Sequence, residues 1–430
     1  MSYLTGLKCL RCERVYAAQR LFQGCAYCTG KLSSNLVTVY DYEAIAHAFN
    51  RDELAQRPQT MWRYHEFLPV DPENIVTIGE GMTPLIHCRR LGKALGLERL
   101  FVKEESRNPT WSFKDRMASA AISKAVEFGA PVITTSSSGN GGAATAAYAA
   151  QAGLPCVIFT TTQFPANMLA LMQVYGAMLV TVPTVQDRWH MVKHYVDDYG
   201  WYPVQNFIVP PIGANPYGID GYKTIAYEVC EQLDWRAPNV FVVPVAGGDA
   251  YIGPWQGFTE FLNLGFISSR PRMIAAEVFG PLQQALERGL NHVEPVPGGK
   301  TVAVSTGATN SAYQSLKTVR DSGGSAVVAD DEEIMAMQTL LAQTEGIYAE
   351  ASSVLTLAVI KKMKEQQQLD AQETVVALLT SSGLKDPEVT LPYVPSIPAI
   401  EPNAASLEAA LRDTYQFMMP AVIPNTVQQK

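Results

Sequence analysis

The chain has 430 residues and a formal net charge of −8, with 47% hydrophobic and 17% charged residues. A chain of this length is able to form two or three domains around buried cores. The acidic balance argues against nucleic acid or an anionic membrane as a partner, because both require a basic surface, and no apolar run approaches the roughly 18–20 residues of a membrane span. The first residues lack the basic and apolar pattern of a signal peptide, so we expect a cytoplasmic protein.

The N-terminal segment contains four of the seven cysteines, arranged as Cys9-x-x-Cys12 and Cys25-x-x-Cys28. An odd total does not suit a framework of disulfides. Four thiolates at this spacing match the closed tetrahedral shell of a structural zinc site. We therefore predict a zinc-ribbon-like module over residues 1–36. A ribbon that no longer binds metal, or a loop with free thiols, is the alternative.

The pattern after this module first indicates helix, over residues 37–66, and then becomes an alternation of short apolar runs and helices. The apolar runs predict strands at 100–103, 131–135, 156–160, 178–182, 240–245, 272–278 and 374–379, with helices between nearly all of them, including 114–128 and 142–152. Such alternation predicts two open, twisted, mostly parallel sheets flanked by helices, an α/β fold. A proline-rich connector over 387–402 is expected to lead to a terminal helix near 407–417.

Ligands of open parallel sheets bind beyond the carboxyl ends of strands, and four turns at such places carry polar residues. The first is Ser112-Phe113-Lys114-Asp115-Arg116, at the start of a predicted helix. Most lysines at such a position are solvated surface charges, and a helix N-terminus slightly disfavours a cation. A lysine that is held there as a neutral amine is able to form an imine with an aldehyde such as pyridoxal 5′-phosphate (PLP).

The other three turns offer groups for an anion, a phosphate and a ring nitrogen. Residues 134–142 combine hydroxyls and glycines and would expose backbone N–H groups to a carboxylate. Residues 244–253 form a glycine-rich turn typical of phosphate binding, without the pattern of a nucleotide P-loop. Asp249 would repel phosphate there unless it points away, for instance by capping the next helix. After the last long strand, Thr380 offers a hydroxyl. Each turn by itself is also compatible with an ordinary polar loop.

In this order and at these spacings, the segments resemble PLP-dependent enzymes of the tryptophan-synthase β fold (fold type II) and, among them, the threonine synthases. The resemblance also includes residues 39–45, 79–85, 345–353 and 382–386, and it therefore covers most of the chain. It implies a PLP cofactor, a small amino-acid substrate and a homodimer.

The resemblance also implies roles for single residues. Lys114, beside Phe113, would hold PLP as a Schiff base and later move the Cα proton. The expected cofactor contacts are Asn140 at the phenolic oxygen, Ala246, Gly247, Gly248, Asp249 and Ala250 at the phosphate, and Thr380 at the pyridine nitrogen. The substrate carboxylate would lie at Ser137, Ser138, Gly139 and Gly141. A neutral hydroxyl at the ring nitrogen favours elimination and replacement over transamination.

The chain departs from the family where the phosphate of O-phosphohomoserine is bound. An arginine of the family, after Asn-Pro-Tyr or Asn-Pro-Phe, is replaced by Gly218. Polar or basic positions of the family are likewise occupied by Ile212, Gly213, Gly141 and Met168. A doubly charged leaving group would lose charge-assisted hydrogen bonds, each contributing roughly 1.5–3 kcal/mol. We therefore expect another substrate, or O-phosphohomoserine bound differently.

The sequence thus predicts a PLP-dependent lyase, similar to threonine synthase, that performs elimination or replacement at Cβ or Cγ of an L-amino acid. The alternatives are an ammonia-lyase acting on serine, threonine or diaminopropionate, a β-replacement enzyme similar to cysteate synthase, and a non-catalytic protein that binds PLP or zinc. The predicted domains are the 1–36 module, an extension at 37–98 packing on the large domain, a small domain at 99–215 with Lys114 and Asn140, a large domain at 216–395 with the phosphate loop, and a tail with a helix at 396–430.

Overall fold

The computed structural model describes residues 2–162 and 166–420. The chain divides into two units, Met1–Asp386 and Pro387–Lys430. The first unit contains two mostly parallel sheets covered by helices and a small N-terminal antiparallel sheet, which confirms the predicted fold class. None of the described helices has the length and apolar character needed to cross a membrane.

The N-terminal sheet consists of β1 (Leu4–Cys9), β2 (Val15–Tyr16) and β3 (Leu36–Tyr40), in the order β2-β1-β3. Helix α1 (Tyr42–Ala48) follows, and the side chain of Asp41 caps it by accepting from the Ala44 N–H group. The helical pattern predicted over residues 37–66 was therefore only partly right. The run Val37-Thr38-Val39 pairs with β1 as a strand, because β-branched residues fit a pleated, half-buried surface.

The first half of the α/β region contains a strand pair and a complete small sheet. Its elements are β4 (Leu85–His87), α2 (Arg89–Leu95), β5 (Arg99–Glu104), α3 (Lys114–Glu127), β6 (Ile133–Ser136), α4 (Asn140–Gln151), β7 (Cys156–Thr160), α5 (Ala166–Val174), β8 (Met178–Thr181), α6 (Val185–Tyr199) and β9 (Tyr202–Pro203). Strands β6 to β9 form a four-stranded sheet in the order β8-β7-β6-β9, and every pair in it is parallel.

The second half completes the larger sheet. Its elements are α7 (Pro216–Ile219), α8 (Lys223–Gln232), β10 (Val240–Pro244), α9 (Asp249–Asn263), β11 (Arg272–Glu277), α10 (Pro281–Glu287), α11 (Tyr313–Asp321), β12 (Ser325–Val328), α12 (Asp331–Glu345), α13 (Ala351–Glu365) and β13 (Thr374–Leu379). The six strands run in the order β12-β11-β10-β13-β5-β4, and only β4 is antiparallel to its neighbour. Strands β10 and β13 are buried along their whole length, as continuous apolar runs in a covered parallel sheet should be.

The division into five domains stays a prediction, and the strand pairing crosses one of its boundaries. Strand β5 lies inside the range 99–215 assigned to the small domain, yet it pairs with β13 in the six-stranded sheet. In the second unit, α14 (Ala404–Tyr415) lies close to the predicted terminal helix, capped by the Asn403 side chain. The last ten residues of the predicted 396–430 tail lie outside the described residues.

Candidate active site

Lys114 is the first residue of α3, on the turn that follows β5. Its Nζ atom lies 4.7 Å from the centroid of the Phe113 ring and 5.7 Å from that of Tyr222. Burial lowers the pKa of Lys114 below its ordinary value, although the carboxylates of Asp249 and Glu350 act to raise it. A half-buried amine beside two aromatic rings is more readily neutral, and hence nucleophilic, than a solvated lysine.

The turn after β13 is bound directly to the Lys114 turn. The Phe113 N–H group donates to the Thr380 carbonyl at 2.9 Å. The Thr380 hydroxyl lies 2.9 Å from the hydroxyl of Ser353, whose oxygen also accepts from the N–H groups of Thr380 and Ser381. Ser353 therefore orients the predicted ring-nitrogen residue. It lies in one of the segments that carried the family resemblance, but no role had been predicted for it.

Asn140, the first residue of α4, connects the small sheet to the large one. Its Nδ2 atom donates to Glu350 at 2.9 Å. Its Oδ1 atom accepts from Lys385 Nζ at 2.7 Å and from the Ser381 hydroxyl at 3.4 Å. The structure thus brings the predicted cofactor asparagine next to two charged side chains, Glu350 and Lys385, that sequence reasoning had not assigned to the site. The charge pattern alone could not identify them, because each lies more than 200 residues away along the chain.

The glycine-rich turn after β10 has the form of an anion cradle. Gly248 has φ +85°, and a Cβ atom there would lie 1.8 Å from the Ser315 hydroxyl oxygen. The N–H groups of Gly247 and Gly248 form no hydrogen bond with any described residue, and α9 begins at Asp249. Unpaired N–H groups at a helix N-terminus are suited to a phosphate.

Asp249 lies beside the cradle, since its Oδ2 atom is 3.9 Å from the position of a Cβ atom on Gly247, and it does not cap α9 as suggested from the sequence. Gly248 is the N-cap of that helix, without a side-chain hydrogen bond. The Asp249 Oδ1 atom instead accepts from the Ala214 N–H group at 2.8 Å and from Gln314 Nε2 at 2.6 Å. The carboxylate is thus held by donors that the fold supplies, and its repulsion of a phosphate at the cradle is reduced.

The predicted carboxylate-binding turn is only partly free. The Ser137 oxygen accepts from the Gly139 and Gly142 N–H groups and so stabilises the start of α4. The Ser138 hydroxyl forms no hydrogen bond among the described residues. Gly141 is buried, and a Cβ atom there would lie 1.9 Å from Gln205 Nε2. Of these residues, Ser138 is therefore the most accessible donor for a substrate.

A group of buried polar atoms around this turn lacks partners within the described residues. It comprises the Gln205 Nε2 atom and the hydroxyls of Thr134, Thr135, Ser136 and Thr160. Ser136 and Thr160 are the last residues of β6 and β7, and Gln205 lies just beyond β9, whereas Thr134 and Thr135 lie within β6. Each buried donor or acceptor without a partner costs about 1–3 kcal/mol, so a cluster of them marks a surface suited to a polar ligand. Gln205 was not predicted, since a lone glutamine carries no sequence signal.

The positions where the chain departs from the threonine synthases are closely packed. A Cβ atom on Gly218 would meet Met117 Cγ at 3.0 Å and Ala121 Cβ at 3.1 Å, both on α3. Gly213 has φ +119°, and a Cβ there would lie 2.5 Å from the Gln314 side chain. Ile212 and Met168 are buried. An arginine at position 218 would therefore require the neighbouring atoms of α3 to shift by a few tenths of an ångström for its Cβ atom alone.

A buried ion network lies directly behind Lys114. The Arg116 guanidinium bonds Glu105 at 2.7 Å and Glu228 at 2.5 Å, and Lys103 Nζ bonds Glu228 at 2.7 Å. All four side chains are fully buried. The network stabilises the first turn of α3, on which Lys114 lies, against β5 and α8.

The four N-terminal cysteines also converge. Their sulfur atoms all lie within 4.8 Å of one another. Burial alone would raise the pKa of Cys25, but hydrogen bonds from the Tyr16 hydroxyl and from backbone N–H groups lower it to about 6. Burial and hydrogen bonds with neighbouring thiols raise the pKa of Cys9 and Cys28. A cluster that stabilises a thiolate is chemically suited to Zn²⁺.

Comparison with known proteins gives a consistent result. The sequence profile of the family described as "Pyridoxal-phosphate dependent enzyme" matches residues 76–381. The chain is 34% identical to a threonine synthase of Methanocaldococcus jannaschii, over 89% of this chain and 94% of that protein, and 33% identical to one of Methanosarcina acetivorans, over 94% and 98%. The solved structure of a processed threonine deaminase from Solanum lycopersicum superposes with a TM-score of 0.62 at 19% identity, covering 80% of this chain and 89% of that one.

Proposed function

This chain belongs to the pyridoxal-phosphate dependent enzymes of fold type II, and we propose that it catalyses elimination or replacement at the side chain of an L-amino acid, with Lys114 as the cofactor lysine. The observation that carries the proposal is the position of Lys114. The amine is half-buried and its pKa is lowered. The turn that carries it is hydrogen-bonded through Phe113 to the Thr380 turn, and the Asp249 carboxylate beside the glycine cradle acts on the amine electrostatically.

The residues present fit the cofactor. Lys114 would hold its aldehyde carbon, the N–H groups of Gly247 and Gly248 its phosphate, Asn140 its phenolic oxygen and Thr380 its ring nitrogen. When bound, PLP withdraws electrons from the substrate Cα and so makes the Cα proton acidic. Thr380 offers a neutral hydroxyl that Ser353 orients, and this arrangement supports elimination rather than transamination.

The chain's own groups account for the remaining tasks. The Lys114 amine would remove and return the Cα proton, since burial lowers its pKa and so favours the neutral form. Ser138 and the backbone N–H groups at the start of α4 would bind the substrate carboxylate. The packing around Lys114 by Phe113 and Tyr222 would keep bulk water from the amine.

We also make a proposal about the leaving group. It is not the phosphate of O-phosphohomoserine, bound as the threonine synthases bind it. The support is the packing at Gly218, where Met117 and Ala121 leave less than ordinary van der Waals space even for the Cβ atom of the family's arginine. The unpartnered polar atoms of Gln205 and Ser136 instead suit a neutral polar side chain. An ammonia-lyase acting on serine or threonine is the second candidate that this polar, uncharged lining favours.

Reconstitution with PLP tests the cofactor assignment. We expect a visible absorbance band in the purified protein that persists in Lys93→Ala, a surface lysine variant, and is absent in Lys114→Ala. Circular dichroism establishes that both variants are folded. A band that survives in Lys114→Ala would refute the assignment, and a band that no amino acid perturbs would favour the non-catalytic alternative.

A product assay separates the candidate reactions. O-Phosphohomoserine is supplied in one arm and phosphate release is measured, whereas serine and threonine are supplied in the other and keto-acid release is measured. We expect keto acid without phosphate. Rapid phosphate release would overturn the proposal about the leaving group and support threonine synthesis.

We also propose a structural zinc ion at Cys9, Cys12, Cys25 and Cys28. Its support is the convergence of four sulfur atoms within 4.8 Å. Metal analysis of the purified protein is expected to give one zinc per chain. Cys12→Ser should lose it and Cys88→Ser, a buried cysteine outside the cluster, should retain it. Equal zinc contents in the two variants would contradict the proposal. The homodimer and the cytoplasmic location stay predictions; sedimentation velocity tests the first.

A further inference from the structure

Lys385 is a second lysine at the candidate site, and its environment is unusual for a lysine. Its side chain is only 4% exposed. Its Nζ atom donates to Asn140 Oδ1 at 2.7 Å, which is its only hydrogen bond with the residues that the structure describes. A buried amine normally requires several partners, because removing it from water is costly. Packing alone therefore does not account for Lys385.

The charges around the Lys385 and Lys114 amines come from α3, from α9 and from the residue before α13. Asp115 on α3 and Glu350 before α13 are the carboxylates near Lys385. The carboxylates of Asp249 on α9 and of Glu350 act on the Lys114 amine. Asp115 is already bound by the Thr110 N–H group and hydroxyl. Glu350 accepts from the opposite end of the Asn140 amide. Asn140 therefore lies between a cation and an anion.

We propose that Lys385 is a positioning residue that sets the proton affinity of the cofactor–Lys114 linkage through the Asn140 amide, and that Glu350 opposes it. The inference rests on the proposed function, in which the Asn140 amide lies at the cofactor's phenolic oxygen. It assigns roles to Lys385 and Glu350, for which the sequence predicts no role.

The physical argument concerns the sign of the nearby charge. An ammonium group at Asn140 Oδ1 polarises the amide and makes its Nδ2 a stronger donor. A phenolic oxygen at that donor is stabilised as an anion, and the positive charge disfavours a second positive charge on the nearby linkage nitrogen. The carboxylate of Glu350 favours that positive charge. Removing Lys385 should therefore raise the pH at which the linkage loses its proton, and removing Glu350 should lower it.

The ionisation of Lys385 is consistent with this role. Burial lowers the pKa of Lys385 to about 8, while Asp115 and Glu350 act to raise it. The ammonium form therefore predominates below about pH 8 and is lost above it. The influence on Asn140 is consequently present at neutral pH.

A spectroscopic titration of the holoprotein tests the proposal without reference to turnover. The visible band of the lysine-bound cofactor is followed from pH 5 to 10 and its midpoint is determined. We expect Lys385→Met to raise the midpoint by about one pH unit, an effect typical of one charge within a few ångströms. Lys385→Arg should stay near the wild-type midpoint, and Glu350→Gln should lower it. Ser381→Ala removes only a long, neutral hydrogen bond to the same Asn140 oxygen and should shift the midpoint much less than Lys385→Met does.

The outcomes are separable. Absence of the band in the wild-type protein means that the proposed function fails, whatever Lys385 does. A band with the wild-type midpoint in folded Lys385→Met overturns the present inference and leaves the cofactor assignment intact. If Lys385→Met does not fold, the titration of Glu350→Gln tests the inference in its place. An unchanged or raised midpoint of the visible band in that variant contradicts the inference equally.

Discussion

Replacing Gly248 by alanine is expected to weaken PLP binding at least about tenfold. Gly248 has φ +85°, and a Cβ atom would lie 1.8 Å from the Ser315 hydroxyl oxygen. The left-handed backbone costs a non-glycine residue about 1–2 kcal/mol. Relief of the clash requires Ser315 to turn away from Gly247 and Ser311, which it now contacts at 3.4 and 3.0 Å. Each lost hydrogen bond contributes about 1 kcal/mol.

The variant should therefore lose about 3–4 kcal/mol of unfolding free energy, the sum of these terms. A displaced loop also weakens N–H contacts to a phosphate, each contributing about 1.5–3 kcal/mol. One such contact corresponds to about a tenfold or larger increase in Kd. The Kd is measured by titrating the apoprotein with PLP and following the visible band, and stability by urea denaturation.

Gly265→Ala is the matched control for backbone strain. Gly265 has φ +75°, and a Cβ atom there would meet nothing within 4 Å. This variant should lose about 1–2 kcal/mol of stability and bind PLP with unchanged Kd. The additional substitution Ser315→Gly in Gly248→Ala should restore part of the affinity. Wild-type Kd in Gly248→Ala, with the expected loss of stability in the control, would refute the assignment of this loop to the phosphate.

Three further outcomes are expected. Arg116→Met leaves two buried carboxylates without their main partner, so it should lower the free energy of unfolding, measured by urea denaturation, by about 3–5 kcal/mol. Lys361→Met, in an exposed ion pair, should lower it by less than about 0.5 kcal/mol. Comparable losses in the two variants would show that the buried network is not critical. Gly218→Arg should lower Tm and gain no phosphate release from O-phosphohomoserine, because the side chain meets α3, whereas Gly299→Arg, where a Cβ meets nothing within 4 Å, should keep the wild-type Tm. Chelation of zinc should lower Tm by several degrees, since the metal binds the folded module only; an unchanged Tm after confirmed metal removal would contradict a structural role.

Much of the scaffold could be predicted because its signals are local. The length and continuity of the apolar runs predicted the first and last residues of strands β7 and β13 correctly. The short strand β12 was missed, since four residues without strict alternation give little periodic signal. The spacing of the four cysteines was sufficient to predict that their sulfur atoms meet.

The sequence by itself determined which turns carry chemistry, because each of them follows a strand and combines glycine with hydroxyl, amide or amine groups over a few residues. Only the tertiary structure decided which groups face each other. Asn140 contacts Glu350 and Lys385 across 210 and 245 residues of chain, and Asp249 turns to Ala214 rather than to its own helix. Such pairings depend on how the two sheets approach one another, a result of packing in three dimensions that no local pattern of side chains encodes.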